Sequence, residues 1–458
     1  MNGRRRRKDM ARQYFGTDGI RGRVNTSPMT AETALRLSIA AARTFAPEGG
    51  REVVIGRDTR RSGDMIEAAL VAGFTSMGIT PVLLGVVPTP AVALMARETG
   101  AALGVMVSAS HNKFEDNGLK LFSPEGIKFD DDTEEALEMA MGTALKGEYA
   151  APAEITLPRT MAGTSNRYVR RCLDTLAGGQ DFSKLKVVLD CAHGAGFETG
   201  PAALTELGAQ LTVIGAAPDG ININAGFGST ATGALKAAVL ETGAHIGIAL
   251  DGDADRLIVI DETGTEADGD QVMGLIAGEM HRTGRLKGGG MVATVMSNMG
   301  LSEYLKTEGL TLARTKVGDR YVGEHMRAHG FNLGGEQSGH IILSDVSTTG
   351  DGLLAGLQIL SVLAARGGKA SDMLRVFTPA PQELINIRYS GANPLESDRV
   401  KTALAEAEGL LGDRGRMVVR KSGTEPLIRV MAEALDEDLM LKALHHAANA
   451  VTAAAGNS

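Results

Sequence analysis

The chain has 458 residues, 43% apolar and 22% charged, which is too long for one ordinary domain and fits a soluble globular protein of three or four. A net charge of −8, no tryptophan and only 4% aromatic residues exclude the basic, aromatic-rich surface that binds nucleic acid without specificity. No apolar run reaches the roughly 20 residues of a membrane-spanning helix, and two cysteines, Cys172 and Cys191, cannot make a disulfide framework, so a cytoplasmic address is expected.

The start, Met1 to Asp9, is basic and has no apolar segment after it, so it is not a secretory signal. Residues 1–12 read as a disordered basic extension, with Met10 as an alternative start. Tyr14 to Gly22 then carries three glycines and reads as a loop able to approach a ligand closely, with Arg21 suited to a phosphate. A helix is expected from Ala31 to Phe45, and Glu52 to Gly56 reads as a buried parallel strand. Ser62 is placed as the N-cap of a helix running to Gly78, and Pro81 to Val86 as the next strand. This is a βαβ pattern.

The pattern recurs twice, with strands at Lys186 to Asp190 and Gln210 to Gly215, then at Met291 to Val295 and Leu310 to Thr315. In each copy a third apolar strand runs into a polar loop and a fourth returns from it. The loops are Ser108-Ala109-Ser110-His111-Asn112, Asp251-Gly252-Asp253-Ala254-Asp255-Arg256 and Gly335-Glu336-Gln337-Ser338-Gly339-His340. The returning strands begin at Leu119, Leu257 and Ile341. Three related α/β domains with mixed sheets are therefore predicted, each presenting one loop from one topological position to a shared cleft. After Pro379-Ala380-Pro381 short strands and helices describe a small α+β domain, with a loop Arg420-Lys421-Ser422-Gly423-Thr424-Glu425-Pro426. The boundaries expected are 13–160, 161–262, 263–380 and 381–458.

Asp251, Asp253 and Asp255 alternate, a spacing of hard oxygen ligands that suits Mg²⁺ or Ca²⁺. Arg256 stands where an EF-hand loop has glycine, so an open Mg²⁺ site facing a phosphate is favoured. Ser110 next to His111 raises a hydrolase dyad, but neighbours on an extended strand point to opposite sides, and a phosphorylated Ser110 beside the acidic loop fits better. Lys120 could serve as acid or base if nearby cations lower its pKa. Glu336, Ser338 and His340 alternate and are expected on one face of an extended segment, suited to sugar hydroxyls, with Lys316 adding charge. Arg420, Ser422, Gly423 and Thr424, followed by Arg429, have the character of a phosphate-binding loop.

Taken in order, Ser-Ala-Ser-His-Asn, Asp-Gly-Asp-Ala-Asp-Arg, Gly-Glu-Gln-Ser-Gly-His and Arg-Lys-Ser-Gly-Thr-Glu-Pro resemble the α-D-phosphohexomutase superfamily from about Tyr14 to Ala455. Phe-Gly-Thr-Asp-Gly-Ile-Arg-Gly and Lys-Val-Gly-Asp-Arg-Tyr-Val look like its bacterial phosphoglucosamine mutase branch. The resemblance implies a four-domain, heart-shaped enzyme, with Ser110 as phosphoserine and one Mg²⁺ per chain held by that phosphate, Asp251, Asp253 and Asp255. It implies Arg21, His111, Lys120 and Arg256 around the reacting groups, Glu336, Ser338 and His340 on the sugar, and the Arg420 loop on the other phosphate. The partner implied is a small sugar phosphate, with glucosamine 1,6-bisphosphate as intermediate and activator. The oligomeric state stays open between monomer and homodimer. Lys113 stands where the family usually has proline.

Overall fold

The computed structural model describes residues 14–16, 18–176, 180–422 and 426–456. The expected extension over 1–12, and Gly423 and Thr424 of the last loop, lie outside the described residues.

Among the described residues, three of the four sheets share one core order. In the first, Asp116–Phe122, Leu103–Val107, Glu52–Arg57 and Thr80–Val86 lie side by side. The second repeats this with Leu257–Asp261, Ile246–Leu250, Lys186–Asp190 and Gln210–Ile214, and the third with Ile341–Leu343, Leu333–Gly335, Gly290–Thr294 and Thr311–Thr315. In each, a buried parallel strand runs into the polar loop and an antiparallel strand returns. The strands running into the loops are buried throughout, as parallel strands covered on both faces are. The fourth sheet is antiparallel, ordered Gln382–Arg388, Leu427–Ala434, Gly415–Lys421, and is packed by Asp398–Leu411 and Glu437–Ala454.

Two local expectations are corrected. Tyr14 to Gly22 is not loop throughout: Ile20–Arg23 is an edge strand paired antiparallel with Asp116–Phe122. Gly19, at φ +72°, lets it in, because a Cβ there would strike the Leu119 carbonyl. Ser62 is not an N-cap: Arg61 holds that position in helical conformation, and the Ser62 hydroxyl accepts instead from Asn117 Nδ2 at 2.8 Å.

Candidate active site

The acidic loop fills the turn between Ile246–Leu250 and Leu257–Asp261. One oxygen from each of Asp251, Asp253 and Asp255 lies within 4.8 Å of the others, and all three residues are buried. Burial, then the Asp255 and Asp253 charges, push the Asp251 carboxyl well above the usual range. Asp253 Oδ1 and Asp255 Oδ1 are buried without a hydrogen-bond partner among the described residues. Three crowded carboxylates with unsatisfied oxygens fit a hard divalent cation.

Ser110 meets this loop directly: its Oγ donates to Asp251 Oδ2 at 2.5 Å. Ser110 is not on an extended strand. The strand ends at Val107, and Ser110 turns through the left-handed region at φ +51°. The alternation argument about His111 therefore does not apply, and His111 Nδ1 lies 3.4 Å from Ser110 Oγ. Burial, with Arg256 and Arg21 adding to it, lowers His111 to about 4, so its ring is neutral near pH 7.

Lys120, on the returning strand, is buried and pairs with Asp253 at 2.7 Å, Asp255 at 2.8 Å and Asp18 at 3.6 Å. Its ion-pair partners are three carboxylates, which outweigh the opposing charge of Arg21. Against the desolvation that would lower it, they hold its pKa well above the ordinary lysine value, which corrects the expectation of a lowered one. Arg256 donates its backbone N–H to Asp251 and lies over Asp255, with Nε 3.8 Å from Oδ1.

A cleft of about 310 Å³ opens above this floor, the size of a small polar ligand. Arg21, Asp255, Arg256, Glu336, His340, Arg420, Ser422 and Arg429 line it, so all four domains contribute. Burial and then the Arg429 charge lower the Arg420 guanidinium, the mark of two cations crowded where an anion can sit.

The third loop differs from expectation. Residues 336–340 form a turn, closed by Glu336 N–H to the His340 carbonyl, rather than an extended segment. Its side chains consequently diverge. Glu336 faces the cleft and accepts from Gly318 N–H at 3.0 Å. Ser338 is exposed and does not line the cleft, whereas His340 is buried, 3.6 Å from Asp255 and 3.1 Å from Asp319. Those carboxylates outweigh burial and raise its pKa. Lys316 is also exposed, over the Tyr321 ring, and the cleft is lined by Val317, Gly318 and Asp319 in its place. Lys113 is exposed too, and the turn after His111 is held by Asn112 Nδ2 to Asp116 at 2.9 Å.

Several site residues went unrecognised in the sequence. Asp18 and Lys128 line the cleft, and Lys128 bridges Asp18 at 2.7 Å to Asp319 at 2.6 Å. Thr89 donates its hydroxyl to Asp253 Oδ2 at 2.5 Å, across from the first domain to the second. Asp18 could have been found inside the Gly-rich loop beside Arg21. Thr89 carries no local signal.

Family models agree with this geometry. Those for phosphoglucomutase/phosphomannomutase match in sequence, domain I at residues 12–147, domain II at 163–264, domain III at 268–380 and the C-terminal domain at 384–450. The chain belongs to the phosphoglucomutase/phosphomannomutase family. Among curated members, it is 54% identical over 432 residues to the phosphoglucosamine mutase of Granulibacter bethesdensis, covering 94% of each chain. It is 53% identical over 456 residues to that of Rhodospirillum centenum, covering 97% of this chain and 96% of the other. Among solved members of the fold, a phosphoglucomutase/phosphomannomutase family protein from Burkholderia thailandensis superposes with TM-score 0.82 at 23% identity, over 98% and 99% of the two chains. Aspergillus fumigatus N-acetylphosphoglucosamine mutase, solved with GlcNAc-6P and magnesium, superposes with TM-score 0.60 at 20% identity, over 98% and 97%. The family's four-domain architecture is the one described above.

Proposed function

We propose that this chain is a phosphoglucosamine mutase, interconverting glucosamine 6-phosphate and glucosamine 1-phosphate through a phosphorylated Ser110. The observation that carries the reading is the Ser110 hydroxyl bonded to one carboxylate of a buried three-aspartate loop, of which Asp255 lines a four-domain cleft. Relatives of that name at 53–54% identity over nearly the whole chain support the substrate.

Asp251, Asp253 and Asp255, with the Ser110 phosphate, would hold one Mg²⁺. When bound, it neutralises charge on the phosphoryl group. The sugar's own phosphate is held by Arg420, Ser422 and Arg429, and Gly423 and Thr424 belong to the same proposed loop. Glu336 accepts from sugar hydroxyls, whereas Ser338 and Lys316 are exposed and stand outside the cleft lining.

In the first transfer the bond from phosphorus to Ser110 Oγ breaks, and one from phosphorus to the sugar O1 forms. His111, beside Ser110, takes the O1 proton and delivers it to the departing Ser110 Oγ. Arg256, Arg21 and the Lys120 ammonium offset charge spread over the phosphoryl oxygens. The resulting glucosamine 1,6-bisphosphate turns within the cleft, its 6-phosphoryl group passes to Ser110 Oγ, and His111 takes the Oγ proton and delivers it to O6. The same reading places the enzyme in the cytoplasm, supplying amino-sugar precursors.

Two measurements test it. Peptide mapping by mass spectrometry should find phosphate on Ser110, and Ser110→Ala should lose nearly all turnover. Assayed side by side, glucosamine 6-phosphate should exceed glucose and mannose 6-phosphates in kcat/KM. A higher value for glucose or mannose would reassign the substrate.

A further inference from the structure

Six residues other than glycine have positive φ among the described residues: Asn25, Ser110, Ala192, His193, Asn224 and Ala254. All but Asn25 gather where the Ser110 loop meets the second domain. The Asn224 N–H donates to the Ala192 carbonyl, Thr59 reaches the His193 carbonyl, and the Ala254 N–H closes onto Asp251. Backbone held in sparsely populated conformations marks a place that its surroundings over-determine.

Two side chains do the holding at the Ser110 loop. Asn224 Nδ2 donates to the Ser110 carbonyl at 2.9 Å and to the Asn112 carbonyl at 2.8 Å. Arg60 donates to the same two carbonyls, at 3.1 Å and 2.5 Å. Arg60 is fully buried in the first domain, and its charge is balanced by Asp58. Asn224 is 7% exposed and comes from the second domain. The grip is close: a Cβ on Gly252 would stand 2.5 Å from the Ser110 carbonyl and 2.7 Å from Asn224 Nδ2. Ser108 completes it, its hydroxyl accepting from Ser110 N–H at 2.9 Å.

We infer that Asn224 and Arg60 are positioning residues for phosphoryl transfer at Ser110, clamping both carbonyls that flank His111 from two domains and so fixing where Ser110 Oγ points. Neither touches the reacting atoms. Held by its carbonyls, and by the Ser110 N–H on Ser108, the loop is gripped without a contact to Oγ, and a clamp from two domains ties the direction of Oγ to the acidic loop of the second. The inference rests on Ser110 being the phosphoryl carrier.

Arg60→Met would leave Asp58 buried without its cation and lower folding stability, so the decisive variants are at Asn224. Asn224→Gly keeps the left-handed backbone and deletes both donated bonds. Asn224→Asp keeps the shape and sets a carboxylate against two carbonyls. Each is phosphorylated at Ser110, quantified by intact mass, and mixed with glucosamine 6-phosphate in a single turnover, with KM and the thermal midpoint measured alongside. For Asn224→Gly the transfer rate per phosphorylated enzyme should fall about ten- to hundredfold, as for a misplaced reacting group, with KM within about twofold of wild type. Asn224→Asp should be slower still, and both should melt within about 5 °C of wild type. Transfer rates within about threefold of wild type in both variants would overturn the clamp while leaving the phosphoserine intact. A wild-type enzyme that takes no phosphate on Ser110, or transfers none from it, would instead overturn the reading beneath it.

Discussion

Lys128→Met should destabilise the three-domain body, and by an amount that depends on pH. Lys128 Nζ lies 2.7 Å from Asp18 Oδ1 and 2.6 Å from Asp319 Oδ2, with the lysine side chain 12% exposed. Exposed pairs contribute up to about 1 kcal/mol each, and stripping a buried pair of one partner costs about 3–5 kcal/mol. The carboxylates left behind are not abandoned: Asp18 keeps Arg21 at 3.1 Å, and Asp319 keeps His340 at 3.1 Å. A loss of about 3 kcal/mol at pH 7 follows, between those limits, or about 1 M in the urea midpoint at a slope near 3 kcal/mol/M. Burial alone would raise both carboxyls, but Lys128, with Lys120 at Asp18 and His340 at Asp319, holds them below the ordinary range. A depressed folded pKa contributes stability that is complete above the unfolded value of about 3.9 and fades as pH falls through the folded one. The gap between wild type and variant should therefore be full at pH 7 and narrow below about pH 4, where the variant's carboxyls take up protons. Urea unfolding at the two pH values, followed by tryptophan-independent circular dichroism, reads both. A loss under about 1 kcal/mol at pH 7, or one that does not narrow in acid, would refute the assignment of these pairs as stabilising.

Removing divalent cations with a chelator should abolish turnover, and Mg²⁺ should restore it. Asp253→Asn should raise the Mg²⁺ concentration needed for half-maximal rate about tenfold or more, measured by titration. Gly339→Ala should destabilise by about 3 kcal/mol or more in thermal unfolding, because Gly339 sits at φ +88° and a Cβ there would meet the Leu257 carbonyl. Arg416→Met should leave Glu433, fully buried, without its cation, and speed hydrogen exchange in the strands of the C-terminal domain.

The sequence made the repeated architecture legible because its signals are local. An apolar strand, a polar loop and a returning apolar strand recur in one order, and all three sheets build on that order. The acidic loop was legible for the same reason: its carboxylates alternate between two buried strands, so no distant residue is needed to bring them together. What failed depended on conformation or on packing between domains. The alternation of Glu336, Ser338 and His340 predicts one face only on extended backbone, and a turn sends Ser338 to solvent and His340 inward. The environment of Lys120 is supplied by Asp18, 102 positions earlier in the chain (120 − 18), and by Asp253 and Asp255 from another domain. Asn224 and Thr89 sit in stretches with no pattern of their own and become site residues only where the first two domains meet.

The distribution of apolar packing separates what stays fixed in the proposed cycle from what is free to move. One buried cluster runs through all three α/β domains, with Val54, Val187 and Met291 as members, so shearing them apart would expose a common core. The C-terminal domain has its own cluster, drawn only from Ile387 to Ala455. Much of its grip on the rest is polar: Arg416 donates to the Val295 and Ser297 carbonyls, and Glu433 accepts from the Met299 N–H at the start of the helix Met299–Thr307. Polar contacts of this kind exchange for water at small net cost, while a shared apolar core does not. Arg420, Ser422 and Arg429, which would hold the phosphate that is not reacting, ride on that separately cored domain. The Ser110 loop and the acidic loop are bonded to each other within the domains that share a core. A bisphosphate that must turn end for end needs one phosphate site that can let go and another that keeps its place, and the packing assigns those two properties to different domains.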